Sequence, residues 1–252
     1  MLSPLGLLLA VVIGLSLGLL GGGGSILTVP VLIYVLGYPV KSAIPMSLVV
    51  VGVTSLIGVA SHARGGTVHW RAALAFGPPA ILGALLGAHL GLRVAASLQL
   101  AIFAVVMMAG SVAMWLGTSL WQRPAAAEGV PRPRNLVADG LVGAAVGTLT
   151  GLVGIGGGFM YVPALVLLAG IGMKDAVGTS LVLIVMSAAA GFARYSGAVD
   201  LDWGGTALFT LLAIVGVVAG TRLGRGVPQT ALRRGFAVFL LLMGAVVLLF
   251  GL

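Results

Sequence analysis

The chain has no cysteine and only five acidic residues among 252. Without thiols there is no disulfide, no thiolate nucleophile and no Cys-ligated zinc or iron–sulfur site, although the redox compartment stays undecided. The five carboxylates, Glu128, Asp139, Asp175, Asp200 and Asp202, fall in a linker or near the ends of apolar runs. A carboxylate relay or an intramembrane Asp pair is therefore not expected. H-E-x-x-H is missing, and His62, His69 and His89 lie near the ends of runs, without the spacing of a metal site or a Ser–His dyad. Charged residues make up 7% of the chain against 60% apolar, and the mean hydropathy is +1.22. So few polar side chains cannot cover a soluble domain of this length, so the protein is read as an all-α polytopic membrane protein with the lipid bilayer as its solvent.

What is present begins with a repeat. Residues 18–94, moved forward by 133 positions without a gap, fall on 151–227 with about a third of positions identical. Gly21, Gly23, Gly24, Val29 and Pro30 land on Gly154, Gly156, Gly157, Val162 and Pro163. Lys41, Ser47, Leu48, Trp70, Gly83, Gly87 and Gly91 land on Lys174, Ser180, Leu181, Trp203, Gly216, Gly220 and Gly224. The period is too long for a solenoid. The division expected is a first membrane repeat over 1–120, a linker over 121–135 and a second repeat over 136–252.

Apolar runs of about twenty residues, the length a bilayer core requires of a helix, occur at 43–60, 70–90, 94–116, 176–193, 203–223 and 231–252. Their continuity argues for helices rather than the short alternating strands of a barrel. Residues 1–20 are apolar but lack a basic n-region, and they have a counterpart around 136–153, so they are expected to be retained structure rather than a cleaved signal. Each half opens differently from an ordinary span. In each, an apolar run meets a glycine cluster, Gly21–Gly24 or Gly154–Gly158, and only about a dozen apolar residues follow. This pattern predicts a glycine-broken helical pair in front of three transmembrane helices per half, eight to ten membrane helices in total. The pair is either a re-entrant hairpin or two short crossings.

Charge parity bears on the orientation. If the broken pair contributes an even number of crossings, or none, one side holds Arg64, Arg71, Arg123, Arg132, Arg134, Lys174, Arg222, Arg225, Arg233 and Arg234, while the other holds Lys41, Arg93 and Arg194. Ten against three is the bias of a cytoplasmic face. The expectation is an inverted-topology repeat in the cell inner (cytoplasmic) membrane, with the linker cytoplasmic and both termini outside. The net charge of +8 then reports topology, and no nucleic acid is expected as a partner.

Broken helices in an inverted repeat are a transporter architecture, and their exposed backbone lines a cavity or is buried in protein. Glycine admits close backbone approach, and the helix starts near Ser25 and Phe159 present N–H groups and positive dipole ends, suited to an anion. The candidate substrate-binding residues are Gly23, Gly24 and Ser25 in the first half and Gly156, Gly157 and Gly158 in the second. Ser47, Thr179 and Ser180 join them, because they sit about one and a half turns into the following helix, where a hydroxyl can donate to an oxyanion. The competing readings are tight helix crossing for the glycines and back-bonding to a carbonyl one turn earlier for the hydroxyls. Lys41 and Lys174 read as helix-start residues. Trp70 and Trp203 read as interfacial anchors. The stripes Gly83-Gly87-Gly91 and Gly216-Gly220-Gly224 read as close-packing surfaces, and His89 and Arg222 as residues reaching toward the membrane surface from helix ends.

The run Gly154-Ile-Gly-Gly-Gly-Phe-Met-Tyr-Val-Pro-Ala-Leu165, followed by Lys174-Asp-Ala-Val-Gly-Thr-Ser-Leu181, resembles the TauE/SafE family of sulfite exporters and organosulfur-anion permeases, and the resemblance covers essentially the whole chain. The first half matches less closely, with Ser25 in place of the third glycine and Pro45-Met46 in place of Gly-Thr, so the halves are expected to contribute unequally. The resemblance implies a transporter of sulfite, sulfoacetate, sulfonate or a similar small anion. From the residues the expected function is a secondary anion transporter working by alternating access, with one half rocking against the other. An anion channel is the alternative, and an intramembrane enzyme fits less well. No cofactor or metal is expected. The coupling ion, H⁺ or Na⁺ or none, stays open, as does self-association into a homo-oligomer.

Overall fold

The computed structural model describes residues 4–116, 136–153, 158–195 and 199–251, and within them the chain is helical without strands. The first half contains α1 (Pro4–Leu20), α2 (Gly23–Pro30), α3 (Val40–Arg64), α4 (Trp70–Arg93) and α5 (Ala96–Leu116). The second contains α6 (Leu136–Val153), α7 (Gly158–Pro163), α8 (Met173–Tyr195), α9 (Trp203–Gly226) and α10 (Gln229–Gly251). Among the described residues, six helices are long and apolar enough to cross a membrane: α3, α4, α5, α8, α9 and α10. These coincide with the six runs read from the sequence; five are lengthened at one or both ends, whereas α5 begins two residues later than its run. Gly156, Gly157 and the linker 121–135 lie outside the described residues.

Each short helix continues past its proline as a π-helical turn, Val31–Val35 after Pro30 and Ala164–Leu168 after Pro163. Proline has no N–H to give to the carbonyl four residues back, and the ladder resumes one residue longer, with Leu36 N donating to Val31 O and Ala169 N to Ala164 O. Gly37 and Gly170, with φ of 74° and 67°, then turn both chains out of the helix. Only glycine enters this left-handed region at no steric cost.

The broken pair of the first half is an antiparallel helical hairpin. Gly24 rests on the α1 backbone, where a Cβ would come within 2.3 Å of Ile13 O and 2.5 Å of Leu17 N, so α2 doubles back along α1. Its far end returns to the start of α9, where Tyr38 Oη donates to Asp202 at 2.5 Å.

The two halves are interleaved. Gly14 and Gly18 of α1 meet Ala213 and Val217 of α9, while Gly216 and Gly220 of α9 meet Val11 and Leu15. The equivalent pair joins α6 to α4, through Gly143 on Phe76, Gly147 on Ala80, Gly83 on Ala144 and Gly87 on Thr148. Both pairs run parallel and bring backbones to distances that a side chain would forbid, as small-residue stripes allow. By contrast α3 and α8 lie antiparallel, with Gly52 on Ala188, Gly58 on Leu181 and Gly191 on Leu48. α5 and α10 are also antiparallel: Gly244 sits beside Met107 and Gly110 beside Leu240, and Ser111 Oγ donates to Ala237 O at 2.8 Å.

Buried side chains concentrate on α3 and α8, whereas Leu74, Leu82 and Leu86 of α4, Val105 and Val112 of α5, Leu211 and Val215 of α9, and Leu242 and Leu249 of α10 are exposed. Large apolar side chains on the outside and buried Ser and Thr within are the arrangement expected of a multi-pass membrane protein.

Candidate permeation site

The two short helices, α2 and α7, pack against each other. Gly21, at the tip of the first hairpin with φ of 70°, lies against the second half, where a Cβ would come within 2.8 Å of Ser180 Oγ, 3.1 Å of Val177 Cα and 3.3 Å of Val162 Cγ2. The first break therefore faces α7 and α8 directly. Gly158 opens α7, and Phe159 behind it packs edge-on to Phe103 of α5 with ring centroids 5.7 Å apart.

The hydroxyls singled out from the sequence are all buried, and the three serines bond within their own helix turn. Ser25 Oγ donates to Gly22 O at 2.6 Å, Ser47 Oγ to Ile44 O at 2.7 Å and Ser180 Oγ to Val177 O at 2.8 Å. In this state those three protons go to carbonyls three residues back, and donation to an anion requires a hydroxyl rotation. Thr179 does something different. Its Oγ1 accepts from His69 N at 2.9 Å, while Gly178 lets Thr67 O approach to where a Cβ would be 2.4 Å away. The Gly178-Thr179 step thus seats the α3–α4 loop of the other half. His69 Nε2 adds a contact to Asp175 Oδ2 at 3.0 Å. Gly23 and Gly24 start α2, and Gly24 is occupied by hairpin packing.

The loops and basic residues sort to two ends. One end holds the α3–α4 loop, the starts of α4, α8 and α10 and the end of α9, bringing Arg64, Arg71, Lys174, Arg222, Arg233 and Arg234 to one face. At the other end are the starts of α3 and α9 and the ends of α4 and α8, with Lys41, Arg93 and Arg194. There Arg194 Nη2 lies 3.0 Å from His89 Nδ1.

Asp202 caps α9 at this second face, accepting from Gly205 N at 2.9 Å. The Gly205 N–H, with the Tyr38 hydroxyl second, holds the Asp202 carboxyl below its ordinary value. Desolvation, followed by the bond to Asp202 and its charge, pushes the Tyr38 phenol up to about 12.

Lys41 is more than a helix-start residue: its Nζ donates to Gly91 O and Val94 O, both at 2.9 Å, closing the end of α4. Sequence reasoning missed its neighbour Gln99, whose Nε2 donates to Leu152 O at 2.6 Å and to Gly91 O at 3.1 Å. An amide inside an otherwise apolar run was the available signal. Also missed was the buried pair of Tyr161 Oη and Ser187 Oγ, 2.5 Å apart, which ties α7 to α8.

At the basic face a cavity of about 270 Å³ opens beside the α3–α4 loop, floored by Gly18 and Leu19 of α1 and flanked by His62, Thr67, Lys174 and Leu232. Its wall includes Val177, the residue that also abuts Gly21. It therefore reaches toward the first hairpin tip.

A sequence model of the sulfite exporter TauE/SafE family matches residues 6–247. The chain belongs to the TauE/SafE family. Relatives of this TauE/SafE member include two from strains of Xylella fastidiosa, each named "probable membrane transporter protein". One is 36% identical over 173 residues, covering 68% of this chain and 66% of the relative. The other is 33% identical over 213 residues, covering 84% and 79%. A relative of the same name from Methanocaldococcus jannaschii is 26% identical over 77% of this chain and 73% of its own. No solved structure matches. Family and helices together make this TauE/SafE protein a multi-pass membrane transporter.

Proposed function

We propose that the protein is a secondary transporter moving a small sulfur-containing anion, such as sulfite, sulfoacetate or a sulfonate, across the cytoplasmic membrane by alternating access. The observation that carries this reading is the placement of the Gly21 tip against Val162 of α7 and Ser180 of α8. A helix break buried at the junction of two repeats is where transporters of broken-helix design hold substrate. In this reading Gly23, Gly24, Ser25, Gly156, Gly157 and Gly158 surround the anion, with Ser47, Thr179 and Ser180 supplying hydroxyls. The family name supports the sulfur-anion class.

We infer an inverted-topology repeat. Its support is the antiparallel packing of the equivalent helices α3 with α8 and α5 with α10, together with the odd number of full-length helices in each half. The basic face is assigned to the cytoplasm on the positive-inside rule. Because α1 packs on α9 and α6 on α4, a rigid half cannot rock without separating those pairs, so the moving units combine elements of both halves.

Proteoliposomes tested for uptake of sulfite, sulfate, sulfoacetate, thiosulfate and chloride decide the reading: flux of a sulfur anion is expected, and none from folded protein rejects it. Unitary currents in planar bilayers would replace the transporter with an anion channel. A cysteine at Ala126 should react from the same side as one at Gly65 and from the opposite side to one at Asp200, and any other pattern rejects the topology.

A further inference from the structure

The 133-residue register that relates the halves also relates two places that differ in the structure. At the face of Lys41 the ends of α4 and α6 are sealed. Lys41 Nζ and Gln99 Nε2 both donate to Gly91 O, Gln99 also donates to Leu152 O, and Tyr195 Oη donates to Gly151 O at 3.3 Å. Packing there is tight enough that a Cβ on Gly91 would lie 2.6 Å from Tyr195 Oη and 2.7 Å from Leu152 O.

Adding 133 to Lys41, Gly91 and Gln99 gives Lys174, Gly224 and Leu232. Subtracting it from Gly151, Leu152 and Tyr195 gives Gly18, Leu19 and His62. These six counterparts all line the cavity at the basic face. Two of the replacements account for the space. Leu232 has no donor for a helix-end carbonyl where Gln99 has two, and the His62 ring is shorter than the Tyr195 phenol, so it does not span the same gap. The helix ends are correspondingly apart, and a Cβ on Gly224 would find Leu19 no nearer than 3.6 Å.

We propose that this cavity is the access vestibule for the transported anion at the basic face, and that the Lys41–Gln99–Tyr195 cluster is the equivalent vestibule in its closed arrangement at the opposite face. The proposal rests on the anion-transport reading. Two features fit a small oxyanion. The volume is about nine times the space of one water molecule in the liquid, enough for a sulfonate with part of its hydration. Lys174 lines it, and Arg64, Arg71 and Arg222 share its face, a field that draws anions inward. Inward, the cavity wall at Val177 borders the Gly21 tip, so an anion passing the vestibule arrives at the hairpin.

Because the chain has no native cysteine, Ser61→Cys reports on this cavity alone. Labelled with a maleimide in detergent and then reconstituted, Ser61→Cys should lose about tenfold of the sulfur-anion flux of the unlabelled variant. Converting the open end to the closed pattern, with His62→Tyr and Leu232→Gln together, should slow labelling of Ser61→Cys by about tenfold. The reverse pair, Gln99→Leu with Tyr195→His, loosens the opposite end and so favours the state with the basic face closed, and it too should slow labelling of Ser61→Cys rather than speed it. A cysteine that does not react, labelling that leaves flux unchanged, or equal labelling in the closed-pattern variant overturns the vestibule while leaving anion transport standing. Absence of flux from the unlabelled parent, eluting as a single folded species, overturns the transport reading instead. If the closed-pattern variant does not elute as a folded species, the flux of labelled against unlabelled Ser61→Cys decides.

Discussion

Gln99 Nε2 reaches Leu152 O at 2.6 Å, so one amide of the first half closes the end of α6, the helix that leads into the second glycine cluster. The same amide also bonds Gly91 O, but that carbonyl keeps Lys41 Nζ as a donor, so Gln99→Leu takes the side-chain donor chiefly from Leu152 O. A loss of about 1–3 kcal/mol is expected, the cost of removing a partner from a buried acceptor. Thermal unfolding in detergent should show it, and Ser97→Leu on the same helix should not.

Gly87 is a packing glycine, with a Cβ position 1.9 Å from Thr148 O. Gly87→Ala should force α4 and α6 apart and cost about 1–3 kcal/mol, as overpacking does in other cores. Gly235→Ala is the control, since nothing lies within 4 Å of that position. Equal unfolding temperatures for the two variants would show that the α4–α6 contact is looser than described.

At the hairpin tip, Gly21→Ala meets two obstacles. One is the left-handed backbone, costing about 1–2 kcal/mol for a residue with a Cβ, and the other is Ser180 Oγ at 2.8 Å. Transport should fall, and Gly21→Ala combined with Ser180→Ala should recover part of the loss by removing the clash but not the backbone strain. Full recovery would assign the whole effect to the hydroxyl contact.

The Tyr38–Asp202 contact gives stability a defined pH dependence. The folded Asp202 carboxyl is depressed, chiefly by the Gly205 N–H, so its contribution is complete above the ordinary carboxylate value and disappears as pH falls through the depressed one. Tyr38 is raised to about 12, so its contribution is complete below the ordinary phenol value and disappears as pH rises through about 12. Asp202→Asn should flatten the acid side of a plot of unfolding temperature against pH. Tyr38→Phe should flatten the alkaline side.

The long helices were legible because apolar runs of bilayer length are unambiguous, and the structure extends them mainly through polar end turns such as Lys41 and His62–Arg64, which hydropathy trims away. The glycine clusters announced the breaks but not their path. What makes the first a hairpin is the seating of Gly24 on Ile13 and Leu17, a contact with no sequence pattern of its own. Ser47 and Ser180 were visible as hydroxyls in apolar helices, but an apolar helix always offers its own carbonyl three residues back, and both hydroxyls take it. The sealed and open ends escaped notice because the alignment of the halves stops at Val94 and Val227, just before Gln99 and Leu232, where the decisive difference lies.

Interleaving also constrains biogenesis. The glycine face of α1 is complementary to α9, whose start at Trp203 is synthesised some two hundred residues later. At typical synthesis rates of about 5–20 residues per second, α1 stays without its permanent neighbour for roughly 10–40 s. During that interval its Gly14 and Gly18 notches face lipid or a membrane chaperone. The nascent chain is then at its most vulnerable, and quality control has its longest window to act.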